Sequence, residues 1–516
     1  MAIINEKKER RLIPNWRDFS TTISLGELDA SSITPIIKPN LSIDDYVEDF
    51  RENETIPFAA DLLSAAIVNG FTDSIEVKNA AKFIFDRQNQ ATQSQVDISQ
   101  NILLIKDNNL ECEIERITIR QLAQCLPEQE YRDKIKQLKQ YVVNFPYNSI
   151  AWVELSRCYS ILGQEKQAVR AMKIAVQLAP NNRFVLRCAV RLFSHYYELD
   201  LAHDILRKNN ATNFDPWLMS AEISVANLRG RNSKFIKRGI ELIDSKNLSP
   251  FSITELASSI GTIDLLSGDR KKSRKMFGKS LVAPNDNSLA QIEWILNTKD
   301  KTLIDREQMT FQPKLDFEAQ VFSNLYNKKL INALNNACRW FCDMPFSKQP
   351  VILGSSIAAV LDNRNLSIDF LKLGLLSHST DAQMLNNIAY YLSLENNTQD
   401  AKKYMERVNW NGLSKLLEVC LTATQGLICF RENRVEEGRQ YYLKAIEDAS
   451  NERDKYNMSI ALLNYAREEI IAKTDEVDSV MQAVSNIPKI SEDDITLKKL
   501  YAEVLELYEK HKSTDR

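Results

Sequence analysis

Glycine and proline are scarce, with 13 and 14 residues in a chain of 516. A sheet-rich protein of this length needs many more turn residues, so the scarcity excludes a β-rich fold and points to long helices joined by short polar loops. Long hydrophobic runs are missing too. No stretch has the length of a membrane span, and the opening MAIINEKKERR has no apolar signal core. A cytoplasmic protein with reduced thiols is expected. Nor is there an excess of one charge: 66 Lys and Arg against 69 Asp and Glu give a formal net charge of −3. That balance predicts no global attraction to nucleic acid or to a membrane.

The residues of catalytic sites are also thin. Only four histidines occur, without an HExxH or a His–Cys cluster. Of the eight cysteines, Cys338 and Cys342 alone form a close pair, one helical turn apart, with no two further ligands nearby. They read as core residues, and no metal site is expected. The phosphate-loop, GxGxxG and GxSxG patterns are absent. Ser355, in ILGSSIAAV, has no plausible His partner and reads as a small packing residue. No catalytic residues and no cofactor are therefore assigned.

What the sequence does have is a recurring helical unit. In residues 149–182 (SIAWVELSRCYSILGQEKQAVRAMKIAVQLAPNN), Trp152, Leu155, Ser156 and Tyr159 share one helix face. Ala168, Met172 and Ala175 share another, Gly163 separates the two helices, and Pro180 follows the second. The small residues Ser156 and Ala168 would let the two helix axes approach closely. The spacing returns in residues 382–415 with Leu385, Ile388, Ala389, Leu392, Ala401, Met405 and Val408. Windows 314–347 and 348–381 precede it in unbroken register, with Ala333 and Ala337 in one and Ser355, Ser367, Leu371 and Gly374 in the other. Residues 419–452 follow with Gly426, Gly438, Tyr442 and Ala445. Between the clear units, 183–216, 217–247 and 252–284 read as further helix pairs, the last with Gly261 and Ser273. A repeat period in this range predicts stacked units that bury a continuous core.

The pattern W-x2-L-x3-Y, A-x3-M and P of residues 149–182 resembles the tetratricopeptide repeat, with Ser156 where that family prefers Gly and Met172 where it prefers an aromatic. The expected fold class is thus all-α, a tetratricopeptide-like helical-repeat solenoid with a less regular N-terminal segment. The expected organisation is an N-terminal arm and small helical segment at 1–110, repeats at 111–474 and capping helices at 475–516. Residues 1–110 carry Pro14, Pro35, Pro39 and Pro57 in the first sixty positions, and Trp16 and Phe19 in a polar setting. Such an arm would either bind a partner or pack back on the first helix pairs. Two helical segments follow it, and residues 88–100 read as a polar linker.

The resemblance implies a protein-binding solenoid whose groove is lined by the first helix of each pair. The polar groove candidates are Asn148, Glu154 and Arg157 in the first unit and Asn386, Asn387 and Tyr390 in the later array. A second candidate surface is electrical. From Arg229 to Lys279 there are twelve Lys and Arg against five Asp and Glu. Arg270, Lys271, Lys272, Arg274 and Lys275 form the denser run, which stacking would align with the run at 229–238 into a basic ridge. The expected function is a non-catalytic scaffold or adaptor that assembles a multi-protein complex. The alternatives are a regulator or sensor subunit, of the kind found beside bacterial toxin or defence systems, and nucleic-acid binding through the ridge at 229–279. Against nucleic acid, the repeats lack the regular pair of recognition residues that a base-reading array carries.

Overall fold

The computed structural model describes residues 10–27, 43–69, 71–72, 74–91, 93–103, 128–245, 247–298, 302–304, 313–487 and 494–514. It is 76% helical, with 26 α-helices and no strand among the described residues. The chain divides into two compact units, one spanning residues 9–346 and the other residues 347–516. This division falls inside the stretch 111–474.

The first unit begins with residues 10–18 in an irregular run and a short helix, α1 (Phe19–Ser24). Four helices follow, α2 (Ile43–Glu52), α3 (Ile56–Asn69), α4 (Ile75–Phe85) and α5 (Gln93–Ile102). The expected linker at residues 88–100 is a correction: from Gln93 it is helical, because Val96, Ile98 and Ile102 are buried and give the polar stretch an inner face. Helix α6 (Glu128–Asn144) then packs on the first repeat, and Phe58 of α3 meets Phe145 edge-on at 5.5 Å. Helix pairs follow: α7 (Ser149–Ile161) with α8 (Glu165–Leu178), α9 (Arg183–His195) with α10 (Leu199–Arg207), α11 (Pro216–Leu228) with α12 (Ile236–Asp244), and α13 (Pro250–Leu266) with α14 (Arg270–Ser280). The unit ends with α15 (Asp286–Thr298), α16 (Phe317–Tyr326) and α17 (Leu330–Asp343).

The second unit keeps the predicted register. Its pairs are α18 (Lys348–Val360) with α19 (Arg364–Ser377), α20 (Ala382–Leu394) with α21 (Thr398–Glu406), and α22 (Lys415–Arg431) with α23 (Val435–Asn451). Helices α24 (Lys455–Ala472), α25 (Val477–Ser485) and α26 (Ile495–Thr514) follow, with Leu497, Leu500 and Val504 closing over Leu463, Ala466 and Ile470.

One spacing explains how four of the pairs close. The hydroxyls of Ser273 and Ser367 donate at 2.8 Å to the carbonyls of Gly261 and Ser355, each twelve residues earlier. In the first repeat the polarity of the device reverses: the Ser156 hydroxyl donates at 2.8 Å to the Ala168 carbonyl, again twelve residues away. Gly426 and Gly438 occupy the same positions, where a Cβ on either would lie 2.9–3.0 Å from the other's carbonyl oxygen. Only small side chains fit at such a crossing. Between α7 and α8 the chain turns at Gly163, whose φ of +65° is the left-handed conformation that glycine adopts without strain.

First and second helices differ in burial. Eleven of the thirteen residues of α7 are buried, but only four of the fourteen in α8, so the first helix is covered on more than the side that faces its partner. Helix α11 is the same, with eleven of thirteen. The family's marker residue Trp152 is a correction to the expected core. It is half-exposed and donates its indole N–H to the Pro146 carbonyl, whereas Tyr159, Leu385 and Ala401 are buried.

Candidate protein-binding faces

The extra cover on the first helices of the N-terminal unit is the chain's own residues 10–27. Along this run burial alternates. Leu12, Pro14 and Trp16 are buried, and Arg11, Ile13 and Asn15 are only partly so, the period of an extended strand. Trp16 packs on Phe346 with ring centroids 5.3 Å apart, and Phe19 meets Phe184 of α9 edge-on at 5.0 Å.

Charge holds the run at both ends and in the middle. The Arg10 guanidinium donates to both Glu318 oxygens at 2.8 and 2.9 Å, to Gln291 Oε1 at 2.9 Å and to Asn287 Oδ1 at 2.8 Å. Backbone is read as well: Asn287 donates to the Ile13 carbonyl and Gln291 to the Arg10 carbonyl. Arg17, 4% exposed, binds Asp343 at 2.5–2.9 Å and Asp286 at 2.6 Å. Burial works against its charge, and the two carboxylates outweigh burial, holding the guanidinium well above its ordinary pKa. The neighbouring Asp18 caps α1 through the Thr21 amide; burial works against its charge too, but the field of Arg157 and these hydrogen bonds hold it below the usual carboxylate range.

Two of the predicted groove residues lie here. Glu154 accepts the Phe19 amide at 3.1 Å and the Arg157 guanidinium at 3.2 Å. Burial raises the Glu154 carboxyl, and Arg157 opposes that rise. Both therefore face polypeptide, but the polypeptide belongs to the same chain. Asn148 serves the scaffold instead, capping α7 through the Ala151 amide and donating to Asp61 at 2.8 Å.

At the far end of the run, Glu27 is buried 3.9 Å from Arg187, which is itself committed to Glu255 at 2.7 and 3.1 Å. Burial pushes the Glu27 carboxyl up to about 7, helped by the nearby acids Asp286 and Glu255 and resisted by Arg187 and Arg17. Burial, followed by the facing Arg10 and Arg17, pulls Arg191 down to about 10 even with Glu318 near. Among the described residues, two buried donors of this region, Trp16 Nε1 and Arg183 Nη2, have no hydrogen-bond partner. Sequence reasoning did not identify Arg10, Arg17, Asp286, Glu318 or Asp343; alternate apolar residues between arginines were the available signal.

In the C-terminal unit, Asn386, Asn387 and Tyr390 come together on α20, with Asn386 and Asn387 buried. The Thr424 hydroxyl of α22 donates to Asn386 Oδ1 at 2.8 Å, and the Tyr390 hydroxyl donates to Asn464 Oδ1 of α24 at 2.9 Å. Three successive first helices thus form a shallow cleft lined by Asn386, Tyr390, Cys420, Thr424, Asn457 and Asn464 over apolar Val419, Ala423 and Ile460. Glu154 and Arg157 belong to the other unit, so the predicted groove residues fall in two separate places.

The basic run covers the exposed face of α14: Arg270, Lys271, Lys272, Arg274 and Lys275 are exposed, and Ser273, Met276 and Phe277 are buried. Part of its charge is spent locally. Lys272 pairs with Asp269 at 2.8 Å, Arg274 donates to the Leu303 carbonyl at 2.9 Å, and Lys279 reaches Asp244 of α12 at 2.5 Å. Among the described residues no group of His, Cys, Asp and Glu could hold a metal ion, and no helix is long and apolar enough to cross a membrane.

Residues 150–182 match the tetratricopeptide repeat family. No curated protein matches the sequence. Among solved structures, yeast Tom70 is 13% identical, covering 80% of this chain and 97% of its own with a TM-score of 0.31. A circular tandem repeat protein with novel repeat topology is also 13% identical, covering 91% and 90%, with a TM-score of 0.13. Neither superposition is close enough to carry function. The match identifies one tetratricopeptide repeat, at residues 150–182, set in an all-helical array of helix pairs.

Proposed function

We propose that this chain is a non-catalytic scaffold that assembles a multi-protein complex, and that the cleft between α20, α22 and α24 is where it takes a partner's polypeptide. Repeats of this family are in general protein-interaction modules. The observation that carries the finer reading is the amide-rich lining of that cleft. Asn386, Asn457 and Asn464 carry paired donors and acceptors of the kind a peptide backbone needs, engaged here by Thr424, Asp454 and Tyr390, and an incoming backbone would take over those bonds. The cleft lies on the first-helix side, the same side that holds an extended polypeptide in the other unit. A cytoplasmic setting belongs to this proposal.

A photo-crosslinking residue at Ala423, in the cleft, should capture a protein that the same group at Leu443, exposed on α23, does not. Asn457→Ala with Asn464→Ala should reduce that capture. Equal capture from both positions, unaffected by the asparagine changes, would count against the cleft.

A second reading, nucleic-acid binding, is favoured by one observation, the five exposed cations on one face of α14. Its test is a salt titration. Affinity for nucleic acid falls linearly on a log–log plot with a slope set by the phosphates neutralised. Lys271→Glu with Lys275→Glu should flatten that slope.

A further inference from the structure

Residues 10–27 behave as a ligand that is covalently part of its receptor. They form no core of their own. Their side chains enter sites built by helices far along the chain, and the sites are complementary in sign: Glu318, Asp286 and Asp343 around the arm's arginines, Arg157 beside its Asp18. Asn287 and Gln291 also bind the arm's backbone carbonyls, which recognises an extended chain whatever its side chains. The receptor face is therefore a reader of polypeptide with three stations, an arginine station at Glu318, an aromatic–arginine station at Phe346, Asp286 and Asp343, and an aromatic station at Phe184.

The arm does not use everything this face offers. Among the described residues, Arg183 Nη2 is buried without a partner in a helix that the arm crosses, and the Trp16 indole N–H finds no acceptor. An unmet buried donor has lost its hydrogen bond to water and gained none in return. At the arm's end a carboxylate, Glu27, is set among other acids, with the nearest cation, Arg187, already held by Glu255. A segment that kept the Glu27 carbonyl's bond to Arg183 Nη1, supplied a further acceptor to Nη2 and omitted the Glu27 carboxylate would fit better than the arm.

We propose that the first-helix face of the N-terminal unit is a second recognition site, occupied in cis by residues 10–27, and that a partner protein takes it by offering an extended segment of the same chemistry. That segment carries an arginine, then apolar side chains at alternate positions, then an aromatic–arginine–acid–aromatic stretch. The arm competes at the high effective concentration of a tethered ligand, so it sets a threshold that the partner must exceed. This goes beyond the reading of the C-terminal cleft and survives if that reading fails.

The test uses the full chain and a fluorescent synthetic peptide of residues 10–27, read by anisotropy. Wild-type chain should bind the peptide weakly. Arg17→Glu in the chain weakens its own arm and leaves the face intact, so it should bind the wild-type peptide roughly tenfold more tightly or better. Asp343→Arg alone, with Arg17 kept, should release the arm and yet fail to bind the wild-type peptide, and a peptide carrying Arg17→Asp should bind that chain. A folded Arg17→Glu chain that binds no better than wild type overturns the proposal. If that variant does not fold, hydrogen exchange in the wild-type chain decides: amides of residues 19–24 should exchange faster than those of α9, and exchange in step with α9 overturns it. A wild-type dimer that Arg17→Glu abolishes also overturns the choice of a foreign partner, assigning the face to a second copy.

Discussion

Arg17 and Asp343 are 326 residues apart in sequence and share a two-pronged ion pair, Nε to Oδ1 at 2.7 Å and Nη2 to Oδ2 at 2.5 Å, with both side chains 3% exposed. It joins the start of the N-terminal unit to its end, and Asp286 completes it from α15. Removing one partner of a buried pair leaves the other charge unmet, at a cost of about 3–5 kcal/mol. Arg17→Met should therefore lower the thermal midpoint of the N-terminal unit and expose the arm to proteolysis. An unchanged midpoint would show that the arm adds nothing to the unit's stability.

The second prediction is a pH dependence. Folded Glu27 keeps its proton up to about pH 7, while the unfolded side chain releases it near 4.5. Between these values the folded state binds more protons, so the contribution of this group to stability is greatest below about 4.5 and is lost as pH rises through 7. The groups facing it are Asp286 and Glu255 on one side and Arg187 and Arg17 on the other. Glu27→Gln should flatten the fall in the urea midpoint between pH 5 and 7.5, by about 1–3 kcal/mol at the upper end. A slope equal to that of the wild type would place the titration elsewhere.

Two glycines give opposite predictions for the same change. A Cβ at Gly438 would come 2.6 Å from the Phe430 ring and 2.9 Å from the Gly426 carbonyl, whereas at Gly278 of α14 it would meet nothing within 4 Å. Gly438→Ala should destabilise by about 1–3 kcal/mol through overpacking. Gly278→Ala should stabilise by up to about 1 kcal/mol, since alanine fixes a helix interior better than glycine. Denaturant melts of the two variants test both.

Ala168 is fully buried where α7 crosses α8 and lends its carbonyl to Ser156. Ala168→Arg forces a long charged side chain into that crossing, and a loss of about 2–5 kcal/mol is expected. Lys271→Glu, on the exposed face of α14, should change stability by no more than about 0.5 kcal/mol. Comparing the two by thermal denaturation checks the repeat register directly.

The repeats were legible because their determinants are local. Ser355 and Ser367, or Gly426 and Gly438, are close in sequence, and their smallness has one purpose wherever it recurs. Trp152 misled because a consensus position predicts a residue type and not the burial of one indole. The arm was harder to read. Its contacts with Glu154, Asp286, Glu318 and Asp343 span 135 to 326 residues, and no periodicity within eighteen residues reports partners at that range. Asn386 and Asn387 were read as groove residues, but both are buried, and whether a first-helix face is covered depends on α22 and α24, which a single repeat does not reveal. Helix α5 was hidden by its glutamines and serines, whose weak helical signal is overridden by tertiary packing of Val96 and Ile102.

The arm also imposes an order on synthesis. Helix pairs close through neighbours, so each can form soon after it leaves the ribosome. The partner of Arg17, Asp343, is made 326 residues after it. At about 5–20 residues per second that delay is roughly 15–65 s. For that interval a strip bearing Leu12, Trp16 and Phe19 is without its final covering, at the same time as the growing face offers Phe184 and Glu154 to any passing chain. The arm is made long before it can be housed, and a chaperone that binds arginine flanked by aromatics would find its target in the nascent protein and lose it in the finished one.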